Sequence, residues 1–125
     1  MAAVVHGLTV EGLESEPRLD QVLRTFVDWC PKTPVLAGQN VWFDAFFLRR
    51  AFAELGLEYS FDYHVIDLWS ICQFVMPRIG KALKSYDLSS QALALGLSRP
   101  EPHGALADAL VSAHVYKELS LDLNK

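Results

Sequence analysis

Two short apolar runs flank one helix-like stretch, and this arrangement constrains the fold more than any other feature of the chain. Val35-Leu36-Ala37-Gly38 is entirely apolar and bounded by turn signals, and Tyr63-His64-Val65-Ile66-Asp67-Leu68 is the second run. Both read as buried strands. Between them, Val41 to about Leu55 reads as a helix that stops at Gly56. Strand, helix and strand in that order predict a right-handed βαβ unit with parallel strands. Parallel strands are normally buried, and two of them make no stable sheet alone. The pattern therefore calls for more strands than this chain clearly supplies; Met1 to Gly7 can add one short edge strand at most.

The remainder reads as helical. Leu19, Val22, Leu23, Phe26 and Val27 recur at helical spacing between Pro17 and Trp29, and Pro31 stops that helix. A helix from Trp69 to Met76 is broken by Pro77. Leu88, Ala92 and Leu95 make a short helix with Gly96 at its stop, and a last helix runs from about Gly104 to Leu119. The expected class is α/β with a helix-rich remainder. There is no repeat, linker or low-complexity tract, so 125 residues make one domain at most.

Composition adds one oddity and several exclusions. Hydrophobic residues make up 51% and mean hydropathy is +0.17, which is apolar for a chain with so high a surface-to-volume ratio. A core missing some of its own cover, or a partner surface, accounts for that excess. A net charge of −4 and a pI near 5.5 exclude a nucleic-acid binder that works by bulk positive charge. They do not exclude a nuclease, whose metal site is itself acidic. No run approaches the roughly 20 apolar residues of a membrane helix, so no membrane partner is expected. The start, MAAVVHGLTVEG, lacks the basic region and apolar length of a signal peptide. A cytoplasmic protein is expected, with Cys30 and Cys72 as reduced core residues.

Two acids sit where an amphipathic helix should be apolar. Asp44 shares a face with Phe47, Leu48, Ala51 and Leu55, and Asp108 shares one with Ala105, Ala109, Ser112 and Ala113. An unpaired carboxylate on a buried face costs on the order of several kcal/mol. A bound cation offsets that cost; so does a place in the first turns of a helix, where the dipole favours an acid. His103 lies in a proline-containing loop before Asp108, and small residues at Gly104, Ala105, Ala107 and Ala109 allow a ligand or another backbone to come close. A loop histidine beside a first-turn aspartate suits a general base next to a hard metal ion. It equally suits a surface histidine with no role. Trp42, Phe43, Phe46 and Phe47 form an aromatic run that can stack a terminal base. Phe43 and Phe47 are expected mainly in the core, as are Trp29 and Trp69. Arg78, Lys81 and Lys84 suit either a phosphate backbone or a solvated loop.

Taken together, the segments resemble one family. GQNVWFDAFFL, from Gly38 to Leu48, resembles the second motif of DnaQ-like 3′–5′ exonucleases, HNxxFDxxFL. HGALADA, from His103 to Ala109, matches their third motif, H-x-A-L-x-D-A, at every fixed position. VIDLWSIC resembles the strand with the family's D-T-L segment, SYDLSSQALALGL the stretch before the third motif, and VHGLT the V-H-G-I-T element. The likeness covers nearly the whole chain in the right order. It is greatest to the proofreading exonuclease subunits of bacterial replicative polymerases and their stand-alone relatives.

The resemblance implies an RNase H-like exonuclease fold: a mixed five-stranded sheet with helices around it. It implies a site for two Mg²⁺ or Mn²⁺ ions and hydrolysis of the 3′-terminal phosphodiester of nucleic acid, releasing nucleoside 5′-monophosphates. Asp44 and Asp108 match metal-site aspartates, and His103 matches the general base of the DEDDh branch. His6 matches a histidine that contacts the nucleotide, and Asn40 and Trp42 are the remaining candidates for substrate contact. Gln39 stands where the family usually has histidine, a polar swap away from the metals. The first motif, D-x-E, occurs nowhere in these 125 residues; Glu14-Ser15-Glu16 is the nearest imitation, in a polar loop.

Residues 1–125 are thus expected to form a single partial exonuclease domain, N-terminally truncated, with the first strands and the first motif absent. Two divalent ions about 3.5–4 Å apart need several carboxylates to hold them. The family uses four acids, and two are here. Negligible activity is expected of this chain alone, with weak metal binding. An apolar strand edge without its neighbour is expected to invite pairing with another chain or a polymerase subunit. Three readings stay open: an exonuclease that has lost its N-terminus, a non-catalytic interaction module derived from the same fold, and a plain helical domain with two capping acids.

Overall fold

The structure, a computed structural model, describes residues 8–98 and 104–122. The edge strand expected within Met1 to Gly7 lies outside the described residues.

Thr9 starts the first helix: its hydroxyl accepts from the Gly12 N–H at 3.0 Å, capping α1, Val10–Leu13. So short an element has no periodicity to read, and the sequence reading misses it. There follow α2, Leu19–Trp29; β1, Leu36–Gly38; α3, Val41–Glu54; β2, Val65–Asp67; α4, Leu68–Val75; α5, Leu88–Ala94; and α6, Ala105–Asp122. Among the described residues the expected helices and the two expected strands form, with ends shifted by a few residues. Two of the expected stops work through glycine. Gly56 (φ +62°) and Gly96 (φ +73°) adopt the left-handed conformation just past α3 and α5. Leu57 N–H then donates to Phe52 C=O at 2.9 Å, and Leu97 N–H to Ala92 C=O at 2.8 Å, closing both helices in the Schellman manner.

β1 and β2 pair in parallel, Leu36 opposite Val65, Ala37 opposite Ile66 and Gly38 opposite Asp67, with α3 as the crossover. Among the described residues each strand has only the other as neighbour. The strands are accordingly not buried as expected: β1 is half-buried to exposed, β2 is half-buried throughout, and Val35 is exposed. A strand with one neighbour and little cover cannot bury both faces.

Two cores form instead around helices. One joins α4, α5 and α6 through Leu68, Cys72, Met76, Leu88, Val115 and Leu119. The other sets Leu23 of α2 and Phe52 of α3 against Phe61. Cys72 is buried, where desolvation lifts its thiol to about 11, while Cys30 is half-buried; both are free thiols. Trp29 and Trp69 depart from expectation: Trp29 is 78% exposed and Trp69 41%. Trp29 closes the last turn of α2 and Trp69 lies in the first turn of α4, so both sit at helix ends rather than in the middle of a core. Two of the three basic loop residues are also engaged. The Arg78 guanidinium donates to the Phe74 carbonyl at the end of α4, and Lys81 Nζ donates to the Ala94 carbonyl of α5 at 3.0 Å. They satisfy helix C-terminal carbonyls.

Asp87 caps α5. Its carboxylate accepts from the Ser90 N–H (2.9 Å), the Ser90 hydroxyl (2.8 Å) and the Ser85 hydroxyl (2.6 Å). The Ser85 bond, then those from Ser90, hold the carboxyl down at about 2, against its ordinary 3.8. A depressed folded-state pKa stabilises the fold above the unfolded value, and that contribution is lost as pH falls through the folded one. Asp87→Ala is therefore expected to cost about 1 kcal/mol at neutral pH. In chemical denaturation the gap between variant and parent should narrow as pH falls from about 4 through about 2; a gap as wide at about pH 2 as at neutral pH contradicts this.

Candidate active site

The turn between β1 and α3 is built in an unusual way. Asn40 takes the left-handed conformation (φ 54°, ψ 42°), and its side chain makes no capping bond. Asparagine tolerates that region better than most residues. The cap comes from elsewhere. Asp67, at the end of β2, accepts from the Val41 N–H through Oδ1 at 3.3 Å, and through Oδ2 from Ser70 N–H and Oγ at 3.0 and 2.6 Å. One carboxylate thus meets the first turns of both α3 and α4 and fixes where α3 starts.

From that start α3 buries Val41, Ala45 and Phe52, with Leu48 half-buried. This stripe is offset from the expected one. Phe43 and Phe47 are not core residues: they are 68% and 52% exposed, with ring centroids 4.8 Å apart. Asp44 lies on the exposed side with them rather than on a buried face. The helix packs its 41/45/48/52 stripe against the strands and α2, which turns the 43/44/47 side outward.

Outward here means into a cleft of about 890 Å³. Its walls are the end of β1, the first turn of α3, the start of α5 and the N-terminal half of α6. Asp44 and Asp108 line this one cleft from two different helices. Although Asp44 is exposed as a residue, the cleft walls desolvate its carboxyl and raise its pKa, against the lowering effect of its own backbone N–H. Asp108 is half-buried in the first turn of α6, where Ala105, Ala109 and Ala113 keep the wall low. Asn40 and Phe43 also line the cleft. Trp42 is exposed but does not. His6 and His103 lie outside the described residues. Glu14 and Glu16 are exposed in the turn after α1, and neither lines the cleft. Asp87 does line it, with its oxygens committed to Ser85 and Ser90. The sequence reading missed the place of Phe43, for which the aromatic run was the available signal, and of Tyr116, which had none.

The sequence model of the exonuclease family matches residues 2–116. The chain belongs to the exonuclease family. That match and its relatives place it among the DnaQ-like members of the family. It is 32% identical to the DNA polymerase III subunit epsilon of Pasteurella multocida over 92% of this chain and 45% of that protein. It is 32% identical to the PolC-type DNA polymerase III of Thermotoga maritima over 90% of this chain and 8% of that protein, and 25% identical to the Bacillus cereus PolC-type protein over 94% and 8%. The chain thus spans less than half the length of these relatives. No solved structure gives a significant match. Membership implies the RNase H-like α/β fold, of which the described residues form a helix-rich part with a two-stranded parallel sheet. No helix among the described residues is long and apolar enough to cross a membrane.

Exonucleases of this family generally use divalent metal ions. Among the described residues no group of three or more His, Cys, Asp or Glu side chains is placed to hold one. Asp87 being spent on its cap, Asp44 and Asp108 are the cleft carboxylates that would hold a hard cation, with water in its remaining positions, the way Mg²⁺ is commonly held. They do not fit a pair of ions, whose mutual repulsion demands more negative charge.

Proposed function

We propose that this exonuclease domain acts on the 3′ end of nucleic acid, with single-stranded DNA as substrate, and that its cleft holds half of a two-metal site. The observation that carries the reading is that Asp44 and Asp108, far apart in sequence, line the same cleft. They bind the metal. A bound divalent ion supplies charge stabilisation at the scissile phosphate. His103 takes the proton of the attacking water; the water oxygen bonds to phosphorus as the P–O3′ bond breaks, leaving a nucleoside 5′-monophosphate and a new 3′-hydroxyl. Asn40 contacts the terminal nucleotide from the cleft and exposed Phe43 offers a stacking face inside it; Trp42, from outside the cleft lining, and His6 are further contacts. The two further acids come from a segment or chain carrying Asp-x-Glu. The naming of relatives as DNA polymerase III subunits supports a place beside a replicative polymerase.

A second reading, a non-catalytic interaction module, is favoured by a separate observation. β1 and β2 are half-exposed, and large apolar side chains, among them Trp29, Phe46 and Phe74, stand in solvent.

The test is Mn²⁺-dependent release of mononucleotides from a labelled single-stranded oligonucleotide. The chain alone is expected to release none above background. Fusion to an N-terminal strand carrying Asp-x-Glu should restore release, and Asp108→Ala in the fusion should reduce it by on the order of 10³-fold. Release by the unaided chain that disappears with Asp108→Ala contradicts the need for further acids. A folded but inactive fusion favours the interaction module.

A further inference from the structure

Gln39 and Gln91 form a clamp on the turn that launches α3. Gln39, half-buried between β1 and Asn40, donates through Nε2 to the Tyr86 carbonyl at 2.9 Å. Gln91, on α5 and 0% exposed, donates through Nε2 to Gln39 Oε1 at 3.0 Å and to the same Tyr86 carbonyl at 2.6 Å. The amide orientations follow from these partners. Flipping Gln91 would set its oxygen against two other oxygens, and flipping Gln39 would do the same at Tyr86. Gln91 Oε1 is left buried with no hydrogen-bond partner among the described residues. A buried amide with an unmet acceptor is costly where only packing is required, since an apolar side chain fills the space without that cost. Both amides are uncharged over the pH range in which carboxylates and imidazoles titrate.

The clamp lies where the cleft needs fixing. Gln39 lines the cleft, and the start of α3 follows it directly, carrying Asp44 in its first turn. Tyr86 precedes α5 and Gln91 lies on it; the start of that helix, Asp87 and Leu88, lines the cleft, and the helix packs against α6 through Ala92 and Val115. Asp67 meets the same turn from the β2 side. The turn is therefore held from two directions: by Asp67 from the β2 side, and by the glutamine pair from α5, which packs against the helix that carries Asp108. We infer that Gln39 and Gln91 are positioning residues that set the Asp44 carboxylate against Asp108 for one shared cation. This rests on the reading of those acids as metal ligands. Side chains that share an ion must be held within about 0.5 Å of their working geometry.

The experiment is Mn²⁺ titration of the full chain, with thermal unfolding of each variant. Gln91→Leu and Gln39→Ala should each weaken Mn²⁺ binding about tenfold, and the double variant should be no weaker than either, because the pair acts as one unit. Gln91→Leu should leave the melting temperature within about 2 °C of the parent, because it removes the unmet acceptor along with the bonds. In an Asp44→Ala background Gln39→Ala should change nothing further. Folded variants that bind Mn²⁺ within twofold of the parent, or a Gln39/Asp44 cycle that is additive, overturn the inference. If the parent binds no Mn²⁺ through Asp44 and Asp108, the metal reading itself fails. Amide hydrogen exchange then decides the clamp: Gln39→Ala must speed exchange across residues 41–44, and unchanged protection there overturns it.

Discussion

Phe52→Ala is expected to cost about 3–5 kcal/mol of folding stability. Phe52 is 0% exposed and is the largest fully buried side chain in the protein's described part. Its ring meets Tyr59 and Phe61 edge-on, with centroids 5.5 and 5.9 Å away, and Leu23 of α2 closes the same cluster. Truncation to alanine removes the transfer energy of the ring and leaves a cavity that three different segments would have to close. A small domain has about 5–15 kcal/mol in all, so the variant should sit near the edge of folding. Phe52→Leu keeps most of the volume and should cost only about 1.5 kcal/mol. Urea denaturation measures both as a shift in midpoint at constant slope. A loss below about 1 kcal/mol for alanine would mean that the cluster of α2, α3 and Phe61 collapses freely and contributes little.

Removing both the Asp44 and Asp108 carboxylates should abolish Mn²⁺ binding, and removing one should weaken it by on the order of tenfold or more, about 1.4 kcal/mol. Asp44 makes this prediction sharper, because its carboxyl is desolvated by the cleft and its pKa is raised. A raised folded-state pKa means that the proton binds the folded protein more tightly than the unfolded chain. The associated stability is present below the unfolded pKa and is lost as pH rises through the folded one. At neutral pH the ionised Asp44 therefore opposes folding, and Asp44→Asn should raise the melting temperature while it weakens Mn²⁺ binding. The same shift makes protons compete with the metal at a higher pH than for an ordinary carboxylate, so parent Mn²⁺ affinity should fall on mild acidification. Calorimetric titration across pH, beside thermal unfolding without metal, checks both arms. An Asp44→Asn variant that loses stability and keeps Mn²⁺ affinity would assign Asp44 to the helix start and remove it from the metal site.

Much of this was legible in the sequence because it is local. Glycine at 56 and 96 marked two helix ends, since only the left-handed conformation lets the next N–H groups reach back to the last carbonyls. The two apolar runs marked the strands, and the spaced motifs marked Asp44 and Asp108. The errors concern facing. Phe43 and Phe47 were expected inside, because an aromatic on an apolar helix usually is, and they stand in the cleft and solvent. An α-helix with apolar residues on most sides does not declare which side is buried. That choice was made by packing: Val41, Ala45, Leu48 and Phe52 face the strands and α2, and Asp67 meets the first N–H of the helix from the end of β2.

The amino-acid sequence by itself determined the order of the elements, the parallel pairing of two strands through one helix, the identity of the two cleft acids and the absence of Asp-x-Glu. These depend on residue type and on spacing along the chain. Tertiary structure alone decided that Asp44 and Asp108 share one cleft, that Asp87 is spent on a helix cap, and that Gln39 reaches Tyr86 and Gln91. The shared cleft and the glutamine contacts join groups distant in sequence, which meet only after the helices have packed; the Asp87 cap is local, made with Ser85 and Ser90.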